Sequence, residues 1–279
     1  MFHVQVWKKG VLWLPLFLLF GASNIFALEI SKTEAMHIGK LIFHNECASK
    51  IACLTSWNKG EDFASLGIGH FIWYPEGVRK AEKRFDESFP KLLELMQKED
   101  VKIPLWLQKQ HGNPWKNREQ FKKSKNTNKM REFHDFLLQT TAFQVKFMQN
   151  RLKNALPSIL THLPASQHAH IQEQFQHVAN SPMGFYALMD YVNFKGEGIK
   201  ISERYQGKGW GLLQVLEHMQ STQAGFTAIQ DFSASAAYIL EQRVALSPPS
   251  RGEKRWLAGW KKRLQTYTEE YKKYSLKNI

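Results

Sequence analysis

The sequence predicts an α+β, mostly α, domain with one small β-sheet, and three observations predict it. Apolar residues recur at helical spacing over most of the chain, as in Ile38, Leu41 and Ile42 or in Phe136, Leu137, Phe143 and Phe147. One short stretch departs from that period: Ser65-Leu66-Gly67-Ile68-Gly69-His70-Phe71-Ile72-Trp73-Tyr74 alternates over its first six residues and is rich in β-branched and aromatic side chains. It therefore reads as a strand or hairpin arm. The residues from 28 onward suffice for one large domain, or for a core carrying an insertion, and contain no internal repeat or low-complexity run.

The first helix is predicted to begin at Ser31, because Ser31 and Glu34 form a capping-box pattern. Glu46 lies eight residues after Ile38 and four after Ile42, which puts it on the buried face. An apolar stripe and the negative end of the helix both favour a protonated carboxyl, the form a general acid needs. The competing expectation is a surface residue at the helix end, or a pairing with Lys50. In the strand segment, Gly67 and Gly69 share a face, so a ligand or another backbone can approach closely there.

Glu46, Ser65 and Gly67-Ile68-Gly69-His70 together resemble the phage-type lysozymes. In that family the catalytic Glu ends the first helix, and a small sheet follows that carries an acid and then a hydroxyl residue just before Gly-Ile-Gly-His. The resemblance implies a lysozyme-like fold with its sheet beside a cleft, Glu46 and Ser65 as catalytic residues, and Trp57, Asn58 and His70 against the substrate. Six residues before Ser65, where the family carries its second acid, stands Lys59. The nearby candidates are Glu61, Asp62 and Asn58, and the loop is longer than the phage pattern. Either Glu61 enters the cleft as the second catalytic acid, or a single acid suffices, as in goose-type lysozymes and lytic transglycosylases.

Residues 1–27 place Lys8 and Lys9 before the apolar run Val11 to Phe20, which Pro15 interrupts. That run is too short to span a bilayer, so the segment is expected to be a signal peptide, with the domain occupying 28–279 and the protein periplasmic or secreted. Ile25 does not suit the cleavage site, so a membrane anchor is the alternative if the segment stays uncleaved. The formal charge is +13, and removing 1–27 takes away only two lysines, which favours a polyanionic partner. No nucleic-acid module is recognisable, and peptidoglycan, with its peptide carboxylates, fits both export and charge. In an oxidising compartment Cys47 and Cys53, the two cysteines of the chain, can pair beside Glu46 as a disulfide. No metal site or cofactor is expected, and the sequence leaves the oligomeric state open.

Residues 76–180 fall outside the resemblance and read as an insertion or extra helical region. One or two helices are expected around Phe85 to Met96, bent or restarted at Pro90, and one long helix over Phe133 to Leu160, with Pro157 near the end. Between them Trp106, Trp115 and several lysines suit either a glycan-facing surface or a solvated insertion. His162, His168 and His170 lack a carboxylate cluster that would complete a metal site.

Ala187 to Phe194 reads as a buried helix stopped by Lys195-Gly196-Glu197-Gly198, and Asp190 and Asn193 within it need polar partners. This segment resembles the lysozyme helix that ends in a Gly-Glu pair behind the cleft. Gly211-Leu212-Leu213-Gln214 resembles the Gly-Leu-Met-Gln run of lytic transglycosylases, where the glutamine lines the cleft. The resemblance thus implies substrate contacts at Asp190, Asn193, Glu197, Tyr205, Gln206, Trp210 and Gln214. Two final helices are expected, over Asp231 to Leu246 and after a Ser250 cap, with Trp256, Leu257, Trp260, Leu264, Tyr267 and Tyr271 on one stripe. Pro249-Ser250-Arg251 and Gly259-Trp260 match the closing helices of the family. No phosphate loop, dinucleotide fingerprint or serine nucleophile elbow is present. The expected activity is cleavage of the peptidoglycan glycan strand; the alternatives are a lytic transglycosylase and a non-catalytic wall-binding protein of the same fold.

Overall fold

Helix α1 (Lys32–Cys47) starts at the predicted cap, where the Ser31 hydroxyl accepts from the backbone N–H of Glu34. The structure, a computed structural model, describes residues 31–83 and 85–277, and the expected signal peptide lies outside them. After α1, Ala48 and Ser49 adopt left-handed conformations (φ 46° and 57°) that turn the chain into a single helical turn at Ile51–Leu54.

The alternating segment forms an antiparallel hairpin within a three-stranded sheet of order β1 (Thr55–Ser56), β2 (Ala64–Leu66), β3 (Phe71–Trp73). Ser65 pairs with Ser56 on one side and Ile72 on the other. Gly67 to His70 make the turn. The two glycines admit protein rather than ligand: a Cβ on Gly67 would stand 2.3 Å from Gln144 Oε1, and one on Gly69 would stand 2.7 Å from the Phe71 ring. Gln144 Oε1 accepts from Ile68 N at 2.8 Å and so straps the turn to the helix behind it. That buried contact, not an open face, accounts for Gly67 and its φ of +69°.

Six helices follow: α2 (Phe89–Lys98), α3 (Leu105–Gln108), α4 (Arg118–Lys123), α5 (Asn128–Gln139), α6 (Thr141–Thr161) and α7 (Ala165–Ala179). Pro90 sits in the first turn of α2, where its missing N–H costs nothing; a single helix starts there, and Phe85 lies before it, outside any helix. The single helix expected over Phe133 to Leu160 is instead two. Thr140, whose hydroxyl bonds back to the Phe136 carbonyl at 2.7 Å, separates α5 from α6. α6 then runs through Pro157, with buried Ala155 and Ile159 anchoring its last turns. Far from forming a separate lobe, 76–180 shares one core with both ends of the chain: Val145, Met148 and Leu152 of α6 belong with Ile38 and Ile42 of α1.

The chain closes with α8 (Gly184–Lys195), a two-stranded ribbon β4 (Arg204–Tyr205) and β5 (Lys208–Gly209), α9 (Leu212–His218), α10 (Phe226–Leu246) and α11 (Lys254–Lys277). α10 and α11 pack as an antiparallel pair, with Phe232, Leu240, Leu264 and Tyr267 buried. Ser250 does not cap α11. It lies in a short turn, Pro249–Arg251, and the helix starts after Glu253, which is buried and held by Arg243. No helix among the described residues is long and apolar enough to cross a membrane.

Candidate active site

The last turn of α1, the Gly67–His70 turn, α8 and α11 meet around Glu46. Its side chain is 13% exposed. Arg263 of α11 donates to Glu46 Oε1 at 2.7 Å, and Asn193 of α8 reaches the same oxygen at 3.4 Å. Asn193 also donates to the Gly69 carbonyl at 3.1 Å, which ties the hairpin turn to α8. On the other oxygen, His70 Nδ1 stands 3.4 Å from Oε2.

Behind this layer lies Asp190, fully buried yet fully partnered. It takes the fork of Arg263 through both oxygens at 2.8 Å, accepts from the Tyr267 hydroxyl at 2.7 Å, and has Asn45 Nδ2 at 3.4 Å. Arg263 is thus a bridge, with Asp190 setting its plane and Glu46 receiving its outer edge. Phe194 covers the guanidinium at 4.1 Å.

The electrostatics overturn the expected protonation of Glu46. Burial alone would raise its pKa, but the charge and hydrogen bond of Arg263, aided by His70, outweigh burial and hold the carboxyl below its usual value. The stripe of Ile38 and Ile42 reaches the site as expected; the missing element was a cation donated from the far end of the chain. Lys50 takes no part in it.

The disulfide joins Cys47 to Cys53, as read from the sequence. His70 Nε2 lies 3.4 Å from Cys47 Sγ and 3.3 Å from Cys53 Sγ, so its ring spans from the sulfur pair to the Glu46 carboxylate.

The other candidates divide. Asn193 and His70 meet Glu46, whereas Asp190, expected against the substrate, is fully buried and reaches Glu46 only through Arg263, and Glu61 sits in the β1–β2 loop and accepts from Asn58 at 3.1 Å. Trp57 is buried, donates to the Glu61 carbonyl at 2.8 Å and packs on Phe121. Ser65 is buried in the middle strand. Glu197 is ion-paired with Arg151 at 2.9 Å, which holds its carboxyl low against the effect of burial. Tyr205 donates to Glu253 and packs on Trp210, itself buried beneath Arg243. Gln206 is exposed at the β4–β5 turn, near the Leu246 carbonyl.

Gln214 accepts from Gly211 N and donates to the Gly198 carbonyl, closing the start of α9 onto the glycine loop. It also lines a concavity of about 350 Å³ with Arg204, Lys208 and Glu217, whose lining does not include Glu46. Trp115 is buried between Phe121 and Phe133, and Trp106 is covered by Lys129 at 4.4 Å, so these two indoles serve packing, while Lys116, Lys122, Lys123 and Lys125 are exposed. His162, His168 and His170 each bond a backbone carbonyl.

Sequence reasoning missed Arg263, Tyr267 as a polar partner, and Asn45. A signal for Arg263 was present: it lies three residues after Trp260 and four before Tyr267, a charge inside an apolar stripe. Such a charge needs a buried counter-charge, and Asp190 was the other unexplained one. Compared with protein-family models, with curated proteins and with solved structures, the chain matches none.

Proposed function

We propose that the protein has a lysozyme-like fold and cleaves the β-1,4 glycan strand of peptidoglycan, with Glu46 as the proton donor to the glycosidic oxygen. The observation that carries this reading is the meeting of a carboxylate at the end of the first helix with the Gly-Ile-Gly-His turn of a small sheet, fixed by Asn193. A bound glycan oxygen at Glu46 would compete with Arg263 for the carboxyl, and protonation of Glu46 releases that ion pair. Two routes serve this reading: Glu61 acts as base on a water, or Glu46 works as a single acid and the acetamido or 6-hydroxyl group of the substrate acts as nucleophile. Attack by the 6-hydroxyl gives an anhydro product, as in a lytic transglycosylase. Net charge and the expected export signal agree with an anionic wall as partner.

A second reading, a wall-binding protein without turnover, is favoured by Lys59 at the family's acid position and by the Arg263–Glu46 pair. Mass analysis of products from purified peptidoglycan separates the two. Cleavage by the unmodified protein and none by Glu46→Gln, with wall pull-down retained in both, is the expected result. Digestion by Glu46→Gln refutes the role of Glu46, and wall binding without any product selects the second reading.

A further inference from the structure

His70 makes contacts that neither a hairpin turn nor a disulfide requires. It is a non-glycine residue in the left-handed region (φ 49°), a conformation that costs energy and persists only when its surroundings impose it. The surroundings do so: Gln144 holds Ile68 N, and Asn193 holds the Gly69 carbonyl. The result is a ring whose Nε2 faces both cysteine sulfurs and whose Nδ1 faces Glu46 Oε2. A carboxylate accepts, so a proton on Nδ1 faces Glu46, and in the neutral ring that tautomer turns the Nε2 lone pair toward the sulfurs. Among the described residues this is the one group of three or more potential metal ligands within 4.8 Å of one another.

We propose that the reduced protein binds a zinc ion through Cys47, Cys53 and the Nε2 of His70, a site that does not depend on the glycan reading. Zinc takes thiolates at about 2.3 Å and imidazole at about 2.0–2.1 Å in tetrahedral geometry, which sets the nitrogen–sulfur edge at about 3.6 Å and the sulfur–sulfur edge at about 3.8 Å. The nitrogen already stands 3.3 and 3.4 Å from the two sulfurs. Only the sulfurs have to part, by side-chain rotation over Cα atoms 5.4 Å apart. Glu46 on Nδ1 is the carboxylate partner that fixes the tautomer of a metal-bound histidine.

The chemistry balances. A dithiol gives two electrons and two protons to the Cys47–Cys53 bond, is itself oxidised to a disulfide, and leaves two thiols. Zinc then displaces both thiol protons to solvent, and water fills the fourth position. The same three side chains therefore exist either as a disulfide beside a free imidazole or as a metal centre.

The test uses the full chain, reduced anaerobically with a water-soluble phosphine, freed of reductant and titrated with Co²⁺, with helical circular dichroism followed throughout. One equivalent is expected to give thiolate-to-cobalt charge-transfer absorption and the visible bands of tetrahedral cobalt, both bleached by one equivalent of Zn²⁺. The disulfide form should show neither, and His70→Ala should weaken cobalt binding by at least about tenfold and alter the visible bands. A folded, reduced chain without the charge-transfer band overturns the proposal, as does a spectrum and affinity indifferent to His70→Ala. Loss of helical structure on reduction also overturns it, because the site needs the frame that aims His70.

Discussion

Because one nitrogen of Arg263 donates to both Glu46 and Asp190, a single cation is shared between two carboxylates, and the protonation of Glu46 depends on how that sharing is arranged. On the proposed reading Glu46 is a general acid, which works only while protonated, so kcat/KM should rise as pH falls through the lowered Glu46 pKa. Arg263→Lys retains a positive charge beside Asp190 but cannot serve two carboxylates with a planar fork. It should move that rise to higher pH, as a pH profile of initial rates would show; an unmoved rise would mean Arg263 does not set the Glu46 pKa. Asp190→Ala leaves the buried guanidinium with one partner fewer and should cost about 3–5 kcal/mol in urea unfolding, the usual penalty for breaking a buried pair. Asp190 and Asn193 were legible in the sequence as polar residues that needed partners, while the identity of the partner was not. Helical periodicity places residues on faces, yet pairing two charges 73 positions apart is decided by how helices pack.

The hairpin was legible in part: the segment from Ser65 to Tyr74 reads as a strand or hairpin arm, but the turn at Gly67–His70 falls inside the alternation and was not foreseen. The reason for the glycines was not legible, because Gln144 lies 77 residues beyond Gly67 on another element. Gly67→Ala should cost roughly 1–3 kcal/mol, from a methyl in a left-handed position and from collision with Gln144. Thermal unfolding of Gly67→Ala measures it, and a neutral substitution would mean Gln144 is free to move aside. The break at Thr140 escaped detection for a local reason. A threonine can either continue a helix or bond back to its preceding carbonyl, and periodicity does not distinguish the two.

For the molecule as a whole, three carboxylates held low by arginines, Glu46 by Arg263, Glu197 by Arg151 and Glu253 by Arg243 with help from the Tyr205 hydroxyl, link folding to pH in one direction. A depressed folded-state pKa contributes stability above the unfolded value, and that contribution is lost as pH falls through the folded value. The melting temperature should therefore drop as pH falls below the ordinary glutamate value of 4.5, and Glu253→Gln should flatten that drop. Scanning calorimetry across this range provides the check. The acid range that should favour proton donation by Glu46 is thus the range in which its ion pair no longer supports the fold. The cap of α1 and the presence of two closing helices were legible from sequence. The placement of 76–180 within one shared core was not, since its contacts with the ends have no local signature. The bond from Arg263 to Glu46 spans 217 positions. During synthesis, a ribosome must therefore deliver nearly all of the domain before the carboxylate meets its cation. Until then the nascent chain holds an acid without its site, and the order of translation itself keeps the site from assembling early.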